Sequence, residues 1–349
     1  MTAARVLTPG AHMRAEIAEQ PDRWRDLITS QHEAIEAAAE LIRGTDPELL
    51  VFAARGSSDH AAQYGQYLAH NLLGIPAMLA TPSTVTAFGT TLRFPRSVIL
   101  AVSQSGESPD LLATVRATGE SGVPIVAFTN SAASSLAQLG DVHVGLAAGS
   151  ELSVAATKTY TAELLALYTT ISRASGVAWS DIIDAVDVAA SAAADLIGGS
   201  APIVAAWTDA LLDADRVLIV GRGYSMSTAK EGALKLMETN SIAASGWSAA
   251  DAKHGPLGQV IDGTPVIFLT ASPGGRESVE AFKTDVGGLG GRALAIDETF
   301  PGLAWPNLDP ALIPLLEIIP LQQLALELAL ARGMDPDRPP GLLKITQTH

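Results

Sequence analysis

One interval organises this chain. Gly223 follows Gly56 by 167 residues, and the same interval carries Ser103 onto Thr270 and Ala127 onto Leu294. Each position lies at or near the end of a short apolar run: VFAA (51–54), SVILAV (97–102) and PIVAF (124–128), then RVLIV (216–220), PVIFL (265–269) and ALAI (293–296). Continuous apolar runs alternating with helix-length stretches predict parallel strands covered on both faces. The repeat therefore predicts an α/β fold of two similar domains in tandem, at 29–178 and 198–334, with helical material at 180–197 joining them. Residues 1–28 read as a polar lead-in, Gln31 to Ile42 as a helix, and Glu151 to Ala174 as a long helix. The long helices end at Gly176 and Gly333, where the interval shortens to 157. The tail, 335–349, opens with DPDRPP, which cannot continue a helix. Its apolar stretch Leu342-Leu343-Lys344-Ile345 is expected to pack, closing the mouth of a site.

Composition removes several classes of function. With 22 Lys and Arg against 37 Asp and Glu, the net charge is −15, which excludes a nucleic-acid partner and requires any anion to be held by local donors. No cysteine is present, so disulfides, thiolate metal sites and a cysteine nucleophile are excluded. His12, His32, His60, His70, His143 and His349 have no metal-ligand spacing, and no metal is expected. The first residues become charged before an apolar signal-peptide core could form. The uncharged stretch Ser121–Gly140 is interrupted by Pro124 and glycines, so no membrane partner is expected and a cytoplasmic location follows.

Two segments carry chemistry. Ser103-Gln104-Ser105-Gly106-Glu107-Ser108 follows a predicted strand and precedes a helix, where open α/β sheets bind ligands and helix amides lack partners. Its hydroxyls suit a phosphate without adding positive charge, and Gly106 permits a close approach or positive φ; ordinary capping by Ser105 or Ser108 is the competing reading. Ser57-Ser58 ends the neighbouring strand, and Lys158-Thr159 either adds a charge or is a solvated surface pair. In the second half, Glu231, Lys235 and Glu238 share one helical face, as a surface ion pair or as a tuned acid–base group. His254, in a loop fixed by Gly255 and Pro256, is either a proton carrier or an exposed histidine. Gly221-Arg222-Gly223 lacks the third glycine of a dinucleotide fingerprint, so no nicotinamide cofactor is expected.

In these segments the chain resembles the sugar isomerase (SIS) family, in particular the isomerase portion of glucosamine-fructose-6-phosphate aminotransferases and the free-standing glucosamine-6-phosphate deaminases of the second type. RGSS (55–58), SQSGES (103–108), ELSVAATKTYTAE (151–163), GRGYSMSTAKEGALKLMET (221–239), DAKHGPL (251–257) and PLQQLALELALARGMDPDRPPGLLK (320–344) carry the likeness. The resemblance implies two tandem SIS domains, each a flavodoxin-like three-layer sandwich. It places phosphate binding on Ser58, Ser103, Gln104, Ser105 and Ser108, proton transfer on Glu238, and ring opening on His254 supplied by the partner of a homodimer. It also implies a Schiff base on Lys344 and a supporting pair at Glu231 and Lys235. Ala156 replaces a family hydroxyl, and without a cysteine the chain is expected not to draw nitrogen from glutamine. The reaction so implied converts glucosamine 6-phosphate and water to fructose 6-phosphate and ammonia, without a cofactor. A simple phosphosugar isomerase, a fructosamine-phosphate deglycase and a non-enzymatic phosphosugar sensor are the alternatives.

Overall fold

A computed structural model describes residues 8–304 and 307–344. Two helices lead in, α1 (Ala11–Ser30) and α2 (His32–Thr45). The first unit then runs β1 (Leu49–Ala53), α3 (Ser57–Leu68), β2 (Ala77–Leu79), α4 (Pro82–Thr86), β3 (Ser97–Ser103), α5 (Pro109–Gly119), β4 (Ile125–Thr129), α6 (Ser135–Leu139), β5 (Val142–Gly145) and α7 (Lys158–Ala174). Helices α8 (Trp179–Gly199) and α9 (Ala201–Leu211) connect it to the second. That unit comprises β6 (Arg216–Gly221), α10 (Ser225–Asn240), β7 (Ala243–Ser248), α11 (Ala249–Ala252), β8 (Pro265–Leu269), α12 (Arg276–Gly288), β9 (Arg292–Ile296) and α13 (Ile313–Ala331).

Both sheets are parallel, ordered β2-β1-β3-β4-β5 and β7-β6-β8-β9. The strand order repeats, so the duplication inferred from the 167-residue interval is a duplication of topology. In each sheet the order reverses beside the first strand, which makes the crevice beyond the strand ends the natural ligand position. In the first unit the loops after β1 and β3 flank that crevice, and they carry Arg55–Ser58 and Ser103–Ser108.

Three differences from the sequence reading have physical causes. The lead-in is a 20-residue helix, α1, because Met13, Ile17, Trp24 and Leu27 form a buried stripe that its many charges conceal. Helix α7 begins at Lys158, seven residues later than expected, because the Glu151 side chain takes the amides of Thr157 and Thr159 (2.9 and 3.2 Å) and caps the helix from outside. Strand β7 is absent from the sequence reading, since AASGWS has little β propensity. Its Gly246 lets α10 lie directly on the strand: a Cβ there would stand 2.3 Å from the Ala229 carbonyl oxygen.

Helix α13 is apolar on all sides and, by length and composition alone, could cross a membrane. Here it is a core helix packed against α8, α9 and α10. It carries two acids, Glu317 and Glu327, of which Glu317 is fully buried. Burial pushes its carboxyl up to about 7, with Ser225 and the amides of Ser272 and Ala271 pulling it back.

Gly246→Ala is expected to lower the unfolding free energy by about 1–3 kcal/mol in urea titration, because the strand and α10 would have to part. Gly258→Ala, where an added methyl would meet no atom within 4 Å, should change it by less than about 0.5 kcal/mol. Glu317 holds its proton more tightly folded than unfolded, so its contribution is complete below pH 4.5 and is lost as pH rises through about 7. Glu317→Gln should therefore flatten the fall in stability between about pH 4.5 and 7, by on the order of 3 kcal/mol.

Candidate active site

Beyond the end of β3 the chain turns sharply. Gly106 sits at φ 67°, and a Cβ on it would collide with the Ser134 hydroxyl at 2.4 Å. The Ser103 hydroxyl accepts the Gly106 amide (3.1 Å) and the Ser105 hydroxyl accepts that of Glu107 (3.3 Å). Both hydroxyls use a lone pair on their own loop and keep an O–H to donate outward. Ser108 is the N-cap residue of α5 but makes no capping bond; it donates to Asp110 at 2.9 Å. Ser58, at the start of α3, donates to Glu163 at 2.7 Å. The four serines expected at the phosphate make different bonds: Ser103 and Ser105 keep a hydrogen to donate, while Ser58 and Ser108 donate theirs to Glu163 and Asp110.

The loop also has a cation that sequence reading missed. Arg55 Nε and Nη2 lie 2.6 and 2.5 Å from Asp110 Oδ2, so the guanidinium stands beside Ser108. Its position in RGSS, directly after a strand, was the available signal. The loop's own acid is turned away, because Glu107 accepts both the amide and the hydroxyl of Ser135 at 2.8 Å.

Helix α10 supplies the second group. Glu231 and Lys235 have no exposed side-chain surface, so this is not a surface pair. Lys235 Nζ lies 2.6 Å from Glu238 Oε2, 3.2 Å from Glu231 Oε1 and 3.3 Å from Ser57 Oγ. Glu231 also accepts Ser57 Oγ at 2.8 Å and faces His60 Nδ1 at 2.8 Å. Burial by itself would discharge Lys235, but Glu231 and Glu238 outweigh it and hold the ammonium well above the ordinary lysine range. Burial raises Glu231 as well, and Lys235 and His60 more than reverse it, leaving its carboxyl below the usual value. Glu238 is the least buried member of this group, with 21% of its side chain exposed.

The tail completes the enclosure. Lys344 Nζ donates to Glu151 Oε2 (2.7 Å) and to the Ser153 carbonyl (2.6 Å). Glu151 is buried, which raises it, yet the Lys344 charge and the Thr157 and Thr159 donors bring it below the ordinary carboxylate range. The tail itself is tied down by Asp337, whose carboxylate accepts the amides of Met13 (2.8 Å) and His12 (3.0 Å).

These parts meet around one cavity of about 200 Å³. It is lined by Arg55–Ser58, Ser103, Gln104, Ser105, Ser108, Glu163, Glu238 and Lys344, with Val154, Ala156, Thr159, Leu342 and Leu343. Glu231 and Lys235 lie behind Glu238, outside this lining. Lys158 is neither a surface residue nor a ligand group: it is buried and pairs with Glu19 at 2.8 Å. His254 is exposed in the turn after α11 and does not line the cavity of its own chain. Glu163 and Glu151 have no role in the sequence reading, although both stand in the segment ELSVAATKTYTAE. A larger groove of about 580 Å³ between α1, α9 and α13 holds the ion pair of Arg14 with Glu327 but no comparable acid–base cluster.

Comparison with known proteins agrees with this layout. The SIS domain family matches residues 45–173 and 210–299. Glutamine–fructose-6-phosphate aminotransferases (isomerizing) from Thermococcus kodakarensis and Methanothermobacter thermautotrophicus are each 32% identical over 95% of this chain. The match covers 57% and 56% of those proteins, so the chain spans little more than half their length. A crystal structure from Silicibacter pomeroyi, of a protein proposed to be a phosphosugar isomerase, superposes with TM-score 0.81 at 30% identity, covering 93% of this chain and 99% of that one. The Thermotoga maritima glucosamine-6-phosphate deaminase shares the fold at TM-score 0.71 and 20% identity, covering 93% of this chain and all of its own. The chain belongs to the SIS family of phosphosugar isomerase-type proteins, with two SIS domains in tandem.

Proposed function

We propose that this protein is a phosphosugar isomerase of the deaminating kind, which converts glucosamine 6-phosphate and water to fructose 6-phosphate and ammonia. The supporting observation is the placement of Glu238 and Lys344 on the same small cavity as the hydroxyl loop of Ser103–Ser108. Ser103 and Ser105 donate to the sugar's phosphate, the N-terminus of α5 adds the positive end of its dipole, and Arg55, paired with Asp110, stands beside the loop. Gln104 lines the cavity between the two serines. The phosphate, held there, directs C1 and C2 toward Glu238.

Glu238 takes the proton from C2 and returns it to C1, so one carboxylate serves both carbons in turn. Lys235 keeps that carboxylate oriented and offsets negative charge that develops on O1. The C2 imine so formed is hydrolysed by water, or passes first to Lys344 as a Schiff base. For that step Lys344 must surrender a proton and leave Glu151. The family resemblance assigns His254, which does not line the cavity of its own chain, to ring opening from the partner subunit of a homodimer.

Incubating the protein with glucosamine 6-phosphate should release ammonia and fructose 6-phosphate in equal amounts. Turnover confined to N-substituted fructosamine phosphates would make it a deglycase instead. Glu238→Gln is expected to slow exchange of the C2 hydrogen with solvent by about 10²–10⁴-fold while phosphosugar affinity stays within about threefold. Ser103→Ala and Ser105→Ala should each raise KM about three- to tenfold, and raise it more than Ser108→Ala does. Exchanging subunits between Glu238→Gln and His254→Ala proteins should restore about a quarter of wild-type activity if His254 acts across the interface. No recovery would place it elsewhere.

A further inference from the structure

We propose that Glu163 is the specificity residue of this cavity, the group that meets an amino substituent on the sugar and favours it over a hydroxyl. The inference rests on the phosphosugar reading above and names what that site selects. Glu163 stands in the second turn of α7, 1% exposed, and lines the cavity beside Ser58, Ala156 and Thr159. Its Oε1 is held by the Ser58 hydroxyl at 2.7 Å, which fixes the carboxyl's direction.

The fixed charges around it leave the site short of a cation. Glu151 and Lys344 balance one another, while Lys235 faces two carboxylates, Glu231 and Glu238, of which only Glu231 has a second ionisable partner among the described residues, His60. Arg55 is matched by Asp110. A phosphate at the hydroxyl loop deepens the deficit, so a carboxyl buried in this cavity ionises only when a cation forms directly against it. A buried carboxyl in such surroundings remains uncharged until a base arrives. Burial, with Glu151 and Glu231 adding to it and Ser58 and Lys235 opposing, pushes Glu163 up to about 8. An aliphatic amine next to an electron-withdrawing carbon titrates in the same range, roughly 7.7–8 for an α-amino group. When the free amine binds, the carboxyl's proton passes to nitrogen and leaves a carboxylate against an ammonium, with no proton gained or lost overall. A hydroxyl in the same position cannot accept that proton.

The test compares two unreactive probes, 2-amino-2-deoxyglucitol 6-phosphate and glucitol 6-phosphate, by titration calorimetry at about pH 7.5, where the free amine and the protonated carboxyl coexist. The wild-type protein should bind the amino probe about ten- to a hundredfold more tightly. Glu163→Gln should abolish that preference and leave glucitol 6-phosphate affinity within about twofold. Should Glu163→Gln fail to fold, Ser58→Ala, which frees the carboxyl, should reduce the preference about three- to tenfold. Equal binding of the two probes by the wild type, or a preference that survives in the variants, overturns the assignment of Glu163 and leaves the phosphosugar reading standing. If neither probe binds the wild type, both readings are overturned.

Discussion

The rest of the site depends on a single buried cation. Lys235 stands with no exposed surface between Glu231 and Glu238, and Ser57 and His60 complete the shell around its partner Glu231. Removing such charges from water costs several kcal/mol each, and the mutual attraction recovers that only when the geometry is tight and the remaining donors are satisfied. This constraint couples the two units. Lys235 and Glu231 belong to α10 of the second, whereas Ser57 and His60 belong to α3 of the first, so the charge network is complete only when α3 and α10 are packed together. The interface between the domains and the orientation of Glu238 are therefore set by the same hydrogen bonds.

A second set of bonds closes the opposite wall. Both ends of the described chain converge on the loop that precedes α7. Glu16 of α1 accepts the amides of Leu152 and Ser153, Val154 donates to the Asp337 carbonyl at 3.2 Å, and Lys344 reaches Glu151 and Ser153. The loop carries irregular backbone with no sheet to pair it, so its amides must find acceptors. Glu16 and Glu151 supply them. Burial, with the Leu152 amide opposing it and the charge of Glu151 adding to it, pushes Glu16 up to about 7. Thus α1 is part of the site's support, although it contributes no group to the cavity.

The two domains have the same strand order and have diverged in use. In the first, the crevice where strand order reverses opens into the polar cavity, and Ser58 is held to Glu163 on the long helix. In the second, Ser225 and Glu317 occupy the comparable relation between α10 and α13 but are wholly buried. One domain has kept an accessible polar crevice while its copy presents α10 to it. An arrangement of this kind lets one half of a duplicated fold anchor a ligand while the other half supplies chemistry.

The sequence alone determined the strands that are continuous apolar runs, the duplication, the turn at Gly106 and the identities of the groups on the hydroxyl loop and on α10. These are local properties: apolar run length, interval and residue type survive without tertiary contacts. It missed α1, whose buried stripe is diluted by surface charge, and β7, whose small residues are there to admit α10. It did not show that Ser58 and Ser108 donate to Glu163 and Asp110, because which way a hydroxyl spends its hydrogen depends on the carboxylate opposite it, and Glu163 lies 105 residues away from Ser58. Only the folded chain decided that Lys158 is buried on Glu19, that Arg55 joins the loop, and that Glu151 and Glu163 face the cavity region. Burial and long-range pairing set the charge state of such groups, and neither is written in the spacing of the residues that take part.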